Sequence, residues 1–128
     1  MKKIPVAIVE DDPLAREHLE ELVRAQVNFD VIGSAATPEE AVRMIVERRP
    51  EIVLMDIELP GATGFEVLQA LAAEALPFVI FITAYDEYAV RAFEVNAIDY
   101  LLKPVAPERL DGAFRRAREL IGTRGVAD

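Results

Sequence analysis

Four short apolar runs punctuate the chain, and each stops at a residue equipped for phosphate chemistry. Ile4 to Val9 runs into Glu10-Asp11-Asp12, and Ile52 to Met55 runs into Asp56. Phe78 to Ile82 runs into Thr83, and Ala97 to Leu102 runs into Lys103-Pro104. Runs this short and rich in β-branched residues read as strands buried on both faces, which belong in a parallel sheet between helix layers. Asp30 to Ala36 supplies one more strand. Parallel strands present their C-terminal ends at one edge. Three carboxylates, a hydroxyl and an ammonium therefore converge there, in the crevice where open α/β sheets bind ligands.

The intervening segments carry helical signals. Asp12-Pro13 reads as an N-cap followed by proline in the first turn, with Leu14, His18, Leu19, Leu22 and Val23 repeating at helical spacing. Thr37-Pro38-Glu39-Glu40 starts a second helix with Ala41, Val42, Ile45 and Val46 on its apolar face. After the Pro60–Gly64 loop, Phe65, Leu68, Leu71 and Ala72 mark a third. Asp86 opens a fourth through Phe93, and Pro107-Glu108 opens the last, packed through Leu110, Phe114, Ala117 and Ile121. Strand and helix thus alternate five times, which predicts a doubly wound α/β sandwich with short connections and right-handed crossovers. The tail from Gly122 to Asp128 has two glycines and no apolar face, so fraying or the start of a linker is expected there, after a single domain over residues 1–121.

Composition narrows the function classes. A chain of 128 residues, 52% hydrophobic and 29% charged, suits one soluble globular domain. Without cysteine there is neither a disulfide nor a thiolate zinc site. No apolar stretch approaches the roughly 20 residues of a membrane span. Met1-Lys2-Lys3 resembles a signal-peptide start, but Glu10-Asp11-Asp12 interrupts the apolar segment too early; a cytoplasmic chain beginning on its first strand is expected. The net charge of −9 argues against direct nucleic-acid binding by this domain. The arginines after residue 108 form a mildly basic end, read as a solvated face or a docking patch.

An aspartate that attacks a phosphoryl group meets an anion, so a divalent cation belongs between them. Magnesium takes oxygen ligands, commonly one or two carboxylates plus phosphate oxygen. Glu10 and Asp11 supply that charge beside Asp56, the candidate nucleophile, which would form an acyl phosphate. Lys103 offers a compact charge to one phosphoryl oxygen and Thr83 a hydroxyl to another. Individually these residues have plainer readings: Asp56 as a turn acid, Thr83 as a strand-end hydroxyl, Asp12 as a cap. Glu58 and Tyr85, two positions beyond Asp56 and Thr83, flank the crevice mouth and are expected to set how water reaches the acyl phosphate.

The blocks Val9–Arg16, Met55–Gly61, Phe81–Ala84 and Asp99–Pro104 resemble, in order, the four signature blocks of the response-regulator receiver (CheY-like) domain. The resemblance covers residues 3 to 121. The stretch Thr83 to Val105 is further similar to receivers of the LytTR (LytR/AlgR) group, which normally precede a DNA-binding LytTR domain. The resemblance implies a flavodoxin-like fold: a five-stranded parallel sheet in the order 2-1-3-4-5, flanked by five helices. It implies Asp56 as phosphoacceptor, with Mg2+ held by Asp11, by Glu10 through water, by Asp56 and by the Glu58 backbone carbonyl. Thr83 and Lys103 would contact the phosphoryl oxygens, Tyr100 would swing inward on activation, and Lys103-Pro104 would be cis.

The expected function is a switch phosphorylated by a sensor histidine kinase. The face of the fourth helix, fifth strand and fifth helix, carrying Arg91 and Phe93, would make a homodimer or output contact, here for transcription regulation. Three rivals stand beside it. A stand-alone relay would pass phosphate to a histidine. An aspartate-based phosphohydrolase would use Glu58 as second acid, but the chain has no cap insert to enclose a substrate. An interaction module independent of phosphorylation would leave the intact acids, threonine and lysine unexplained.

Overall fold

A computed structural model describes residues 2–127. Numbering the strands of the main sheet alone, the order is β1 (Ile4–Val9), α1 (Pro13–Arg24), β2 (Phe29–Ala35), α2 (Pro38–Arg48) and β3 (Ile52–Met55). Then come α3 (Gly64–Gln69), β4 (Phe78–Thr83), α4 (Ala89–Glu94), β5 (Asp99–Leu102) and α5 (Pro107–Ala127). All neighbours in the sheet are parallel, in the order β2-β1-β3-β4-β5, so the predicted topology is the observed one. A short antiparallel hairpin, Glu58–Leu59 with Ala62–Thr63, projects between β3 and α3. Its turn uses Gly61 at φ +84°, a conformation that glycine adopts without strain.

Side chains alternate across each strand, and the core divides accordingly. Val6, Ile8, Ile52, Leu54, Ile80 and Ile82 pack under α1 and α5 against Leu19, Val23, Leu110 and Phe114. Ala7, Val9, Val53, Met55 and Phe81 pack on the other face against Ala41 and Ile45 of α2 and Phe65 of α3. Both faces of the central strands are therefore dry, which is why their sequences run apolar without alternation. Gly64 opens α3 where the chain passes close beneath the site: a Cβ there would lie 2.7 Å from the Asp56 carbonyl oxygen.

Several element ends differ from the sequence expectation. The caps hold at Asp12, whose side chain accepts from the Ala15 N–H, and at Thr37, which accepts from the Glu40 N–H. Helix α4 starts at Ala89 and not at Asp86, with Tyr88 before it and no side-chain cap. Helix α3 stops at Gln69; Leu71 and Ala75 still reach the core, through a tightened last turn and a 3₁₀ turn over Ala73–Ala75. Residues 122–127, expected to fray, carry α5 on to Ala127, and Asp128 lies outside the described residues. One glycine costs a helix interior only about 1 kcal/mol, which does not end a helix anchored by buried Leu110, Ala113, Phe114 and Ala117. Among the described residues no helix is long and apolar enough to cross a membrane.

Candidate functional site

The strand ends are stitched together by backbone hydrogen bonds, and these fix the site. The Asp56 N–H donates to Val9 O at 2.9 Å, which sets Asp56 beside the end of β1. The Glu10 N–H donates to Ala35 O at 2.9 Å, and the Lys103 N–H to Thr83 O at 2.8 Å. Glu10, Asp56 and Thr83 are the buried polar residues of the described chain, at 1%, 7% and 0% exposure. Asp11 is exposed at the rim. One carboxylate oxygen from each of Glu10, Asp11 and Asp56 lies within 4.8 Å of the others.

Lys103 reaches into this cluster. Its ammonium lies 2.5 Å from Glu10 Oε1 and 2.9 Å from Asp56 Oδ2, donating a hydrogen bond to the latter. Glu10 Oε1 is buried and faces that ammonium as its ion-pair partner. Glu10 Oε2 accepts from the Asp12 N–H at 3.1 Å. Burial raises the Glu10 pKa; Lys103 and the Asp12 N–H oppose this, and the Asp56 charge adds to it. For Lys103, burial works to lower the pKa, but Glu10 and Asp56 outweigh it and hold the ammonium above its ordinary range. Three carboxylates face one ammonium, leaving two negative charges if all ionise. That excess and the all-oxygen donor set fit a hard divalent cation such as Mg2+.

Around this cluster the loops are wired to one another. Thr83 Oγ1 accepts from the Tyr85 N–H at 3.3 Å, and the Tyr85 carbonyl accepts from the Tyr100 hydroxyl. The Glu58 N–H donates to Asp56 Oδ1 at 3.3 Å. Glu10, Asp11, Asp56 and Lys103 thus meet at one edge of the sheet; Thr83 ends the neighbouring strand, joined to Lys103 through its backbone carbonyl and to the Tyr85 N–H through its hydroxyl. The peptide bond Lys103-Pro104 is cis.

Arg91 and Phe93 are not brought together. Phe93 is 83% exposed beside a groove of about 250 Å³ that Ala89, Ala97, Ile98 and Tyr100 help to line. Arg91 instead lays its guanidinium over the Phe65 ring, 4.3 Å from the centroid, on the α3 side of α4. Two positions along a helix differ by about 200°, so the two side chains leave opposite sides. Arg109 and Arg116 of α5 pair with Asp99 of β5. His18, read as part of the α1 apolar face, is exposed and lines a groove with Lys103 and Pro104.

Sequence reasoning missed Tyr88. Its hydroxyl donates to Glu58 Oε2 at 2.9 Å, a hydrogen bond that raises its pKa, and its ring leans on Phe65 and meets Tyr85 edge-on at 6.5 Å. Thirty residues separate it from Glu58, and no local pattern announces the pair.

The family profile of the response regulator receiver domain matches residues 6–115, and the chain belongs to that family of two-component signalling domains. An uncharacterized response regulatory protein of Vibrio vulnificus is 46% identical over 109 residues, covering 85% of this chain and 45% of that protein. The transcriptional regulatory protein BtsR of Escherichia coli K12 is 39% identical over 116 residues, covering 91% of this chain and 48% of BtsR. The chain thus spans about half the length of the curated relatives it matches. Among solved structures, the receiver domain of a modulated diguanylate cyclase from Desulfovibrio desulfuricans G20 superposes with a TM-score of 0.82 at 37% identity, covering 99% of this chain and 100% of that one. The receiver domain of AraT from Geobacillus stearothermophilus gives 0.80 at 31%, covering 94% and 97%.

Proposed function

We propose that Asp56 accepts a phosphoryl group from the phosphohistidine of a sensor kinase, with Mg2+ held by Glu10, Asp11, Asp56 and the Glu58 carbonyl. The observation that carries this is the cluster of three carboxylate oxygens within 4.8 Å, with a single ammonium among them. An Asp56 carboxylate oxygen attacks phosphorus as the bond to the donor nitrogen breaks, and the electron pair leaves with the histidine. The cation, when bound, neutralises charge between the carboxylate and the incoming phosphoryl oxygens. Lys103 gives up its pairing with Asp56 to hold one phosphoryl oxygen, and Thr83 leaves the Tyr85 N–H to donate to another. The Tyr85 loop then moves, and Tyr100, bonded to its carbonyl, moves with it. Binding thereby biases two packings of α4, β5 and α5.

Glu58 and Tyr85 tune the lifetime of the acyl phosphate from the mouth of the site, and the Tyr85→Ala variant should alter its decay; an unchanged decay removes Tyr85 from that role. The receiver unit over residues 1–121 continues through α5 to Ala127, and that helix leads toward the output. The output is transcriptional, through a DNA-binding LytTR domain, with the whole acting in the cytoplasm. The similarity of residues 83–105 to LytTR-group receivers supports this, as do relatives about twice as long that are transcriptional regulators. The receiver itself neither grips nucleic acid nor turns over an external substrate.

Incubation with acetyl phosphate and Mg2+ should add one phosphoryl mass to the chain, and EDTA should prevent it; no gain with Mg2+ overturns the reading. Size-exclusion of the same samples reads the output face. Phosphorylation should promote self-association, and Phe93→Asp should abolish that change while Arg91→Glu, on the α3 side, should disturb it less. Equal association of phosphorylated wild type and Phe93→Asp argues against this face.

A further inference from the structure

Two contacts tie the start of α4 to the segment after Asp56. Tyr88 donates its hydroxyl to Glu58 Oε2 at 2.9 Å, and one turn later Arg91 covers the Phe65 ring at 4.3 Å. Glu58 is itself joined to the acceptor, since its N–H donates to Asp56 Oδ1. The Glu58 side chain is exposed and has no ion-pair partner among the described residues; the tyrosine hydroxyl fixes its direction. The bond therefore joins the loop after β3, which carries Asp56, to the loop after β4, which follows Thr83. Tyr85, edge-on to Tyr88, stands beside it.

We propose that Tyr88 is a positioning residue for the phosphoryl site: by holding the Glu58 side chain across the mouth, it restricts water and prolongs the phosphorylated state of Asp56. The inference rests on Asp56 being the phosphoacceptor. In hydrolysis a water oxygen bonds to phosphorus in line with the scissile bond, from the side opposite the Asp56 oxygen. The bond from phosphorus to that oxygen breaks, its electron pair returns to the Asp56 carboxylate, and the water leaves as part of inorganic phosphate with its surplus proton passing to solvent. An attack along that line comes from beyond the C-terminal edge of the sheet, where the two loops joined by the Tyr88–Glu58 bond lie. Glu58 alone, a flexible exposed side chain, would leave the opening uncovered much of the time. Arg91 on Phe65 keeps Tyr88 within reach by anchoring the first turn of α4.

The test loads wild type and variants with acetyl phosphate and Mg2+, removes the donor, and tracks phosphoryl loss by intact mass. Tyr88→Phe, which deletes only a hydroxyl, should shorten the lifetime at least threefold. The shortening should persist in a Glu58→Gln background, where the amide oxygen still accepts from tyrosine, and vanish in a Glu58→Ala background, where nothing is left to hold. A Tyr88→Phe lifetime equal to that of wild type overturns the proposal. So does a shortening of the same size with Glu58→Ala present, because the effect would then not pass through Glu58. Wild type that never loads would instead bring down the phosphoacceptor reading and this proposal with it; a loaded protein indifferent to Tyr88 brings down this proposal alone.

Discussion

Asp56→Asn will take up no phosphoryl group from acetyl phosphate and Mg2+ under conditions that load the wild type completely. The amide fills the same space at the end of β3 and can still accept from the Glu58 N–H, so the pocket survives. What it lacks is a negative oxygen with which to bond to phosphorus. Neighbouring acids cannot substitute. Glu10 is 1% exposed, with one oxygen tied to the Asp12 N–H and the other against the Lys103 ammonium. Asp11 lies at the rim, one residue further from the β3 end that the Asp56–Val9 hydrogen bond fixes. Intact mass reads the outcome directly; a full gain on the variant would mean that a different residue is the acceptor.

Lys103→Met should lower stability in metal-free buffer by about 2–3 kcal/mol, at or below the bottom of the roughly 3–5 kcal/mol that breaking a fully buried ion pair costs, since Lys103 keeps 25% side-chain exposure and solvent screens it. The reason is the charge balance of the pocket. With the ammonium gone, Glu10 and Asp56 face each other and Asp11 without a cation, and Glu10, already raised by burial, relieves part of the repulsion by taking a proton. Mg2+ should restore more stability to the variant than it adds to wild type, because it supplies the missing positive charge. The same variant should load phosphate poorly, having lost one contact to the phosphoryl oxygens. Urea unfolding in EDTA and in Mg2+ checks the first two statements. Equal midpoints for variant and wild type in EDTA would show that Lys103 does not balance the acids.

The sheet is legible in the sequence because its central strands are dry on both faces. Ile52–Met55 and Phe78–Ile82 can be apolar throughout only where helices cover both sides, and the polar residue that ends each run marks the C-terminal edge of the sheet. The convergence of Glu10, Asp56 and Lys103 comes from that geometry, without knowledge of any contact. Contacts made by long side chains across loops are not legible. Lys103 spans to two carboxylates from different strands, and Tyr88 to Glu58, because topology brings together residues far apart in sequence. Arg91 reads as part of the output face beside Phe93, yet the face of a buried phenylalanine offers its guanidinium a surface to lie on. The start of α4 falls later than the sequence suggests: Asp86 reads as the opening of the helix, but it begins at Ala89, after Tyr88, whose hydroxyl is bonded to Glu58. At the other end, two glycines read as a helix stop, although the buried stripe of α5 extends to Ala117 and supports the helix beyond it.

The central claim is that one cation-dependent pocket places a phosphoryl group on a single carboxylate. Reductive trapping tests it most directly. Protein loaded with acetyl phosphate and Mg2+ is treated with borohydride, which converts an acyl phosphate to an alcohol, and the digested peptides are mapped by mass. The account predicts reduction at Asp56 alone, and none when EDTA is present during loading. Reduction at Asp11, Asp12 or another acid, or equal trapping at Asp56 without a divalent cation, would contradict it.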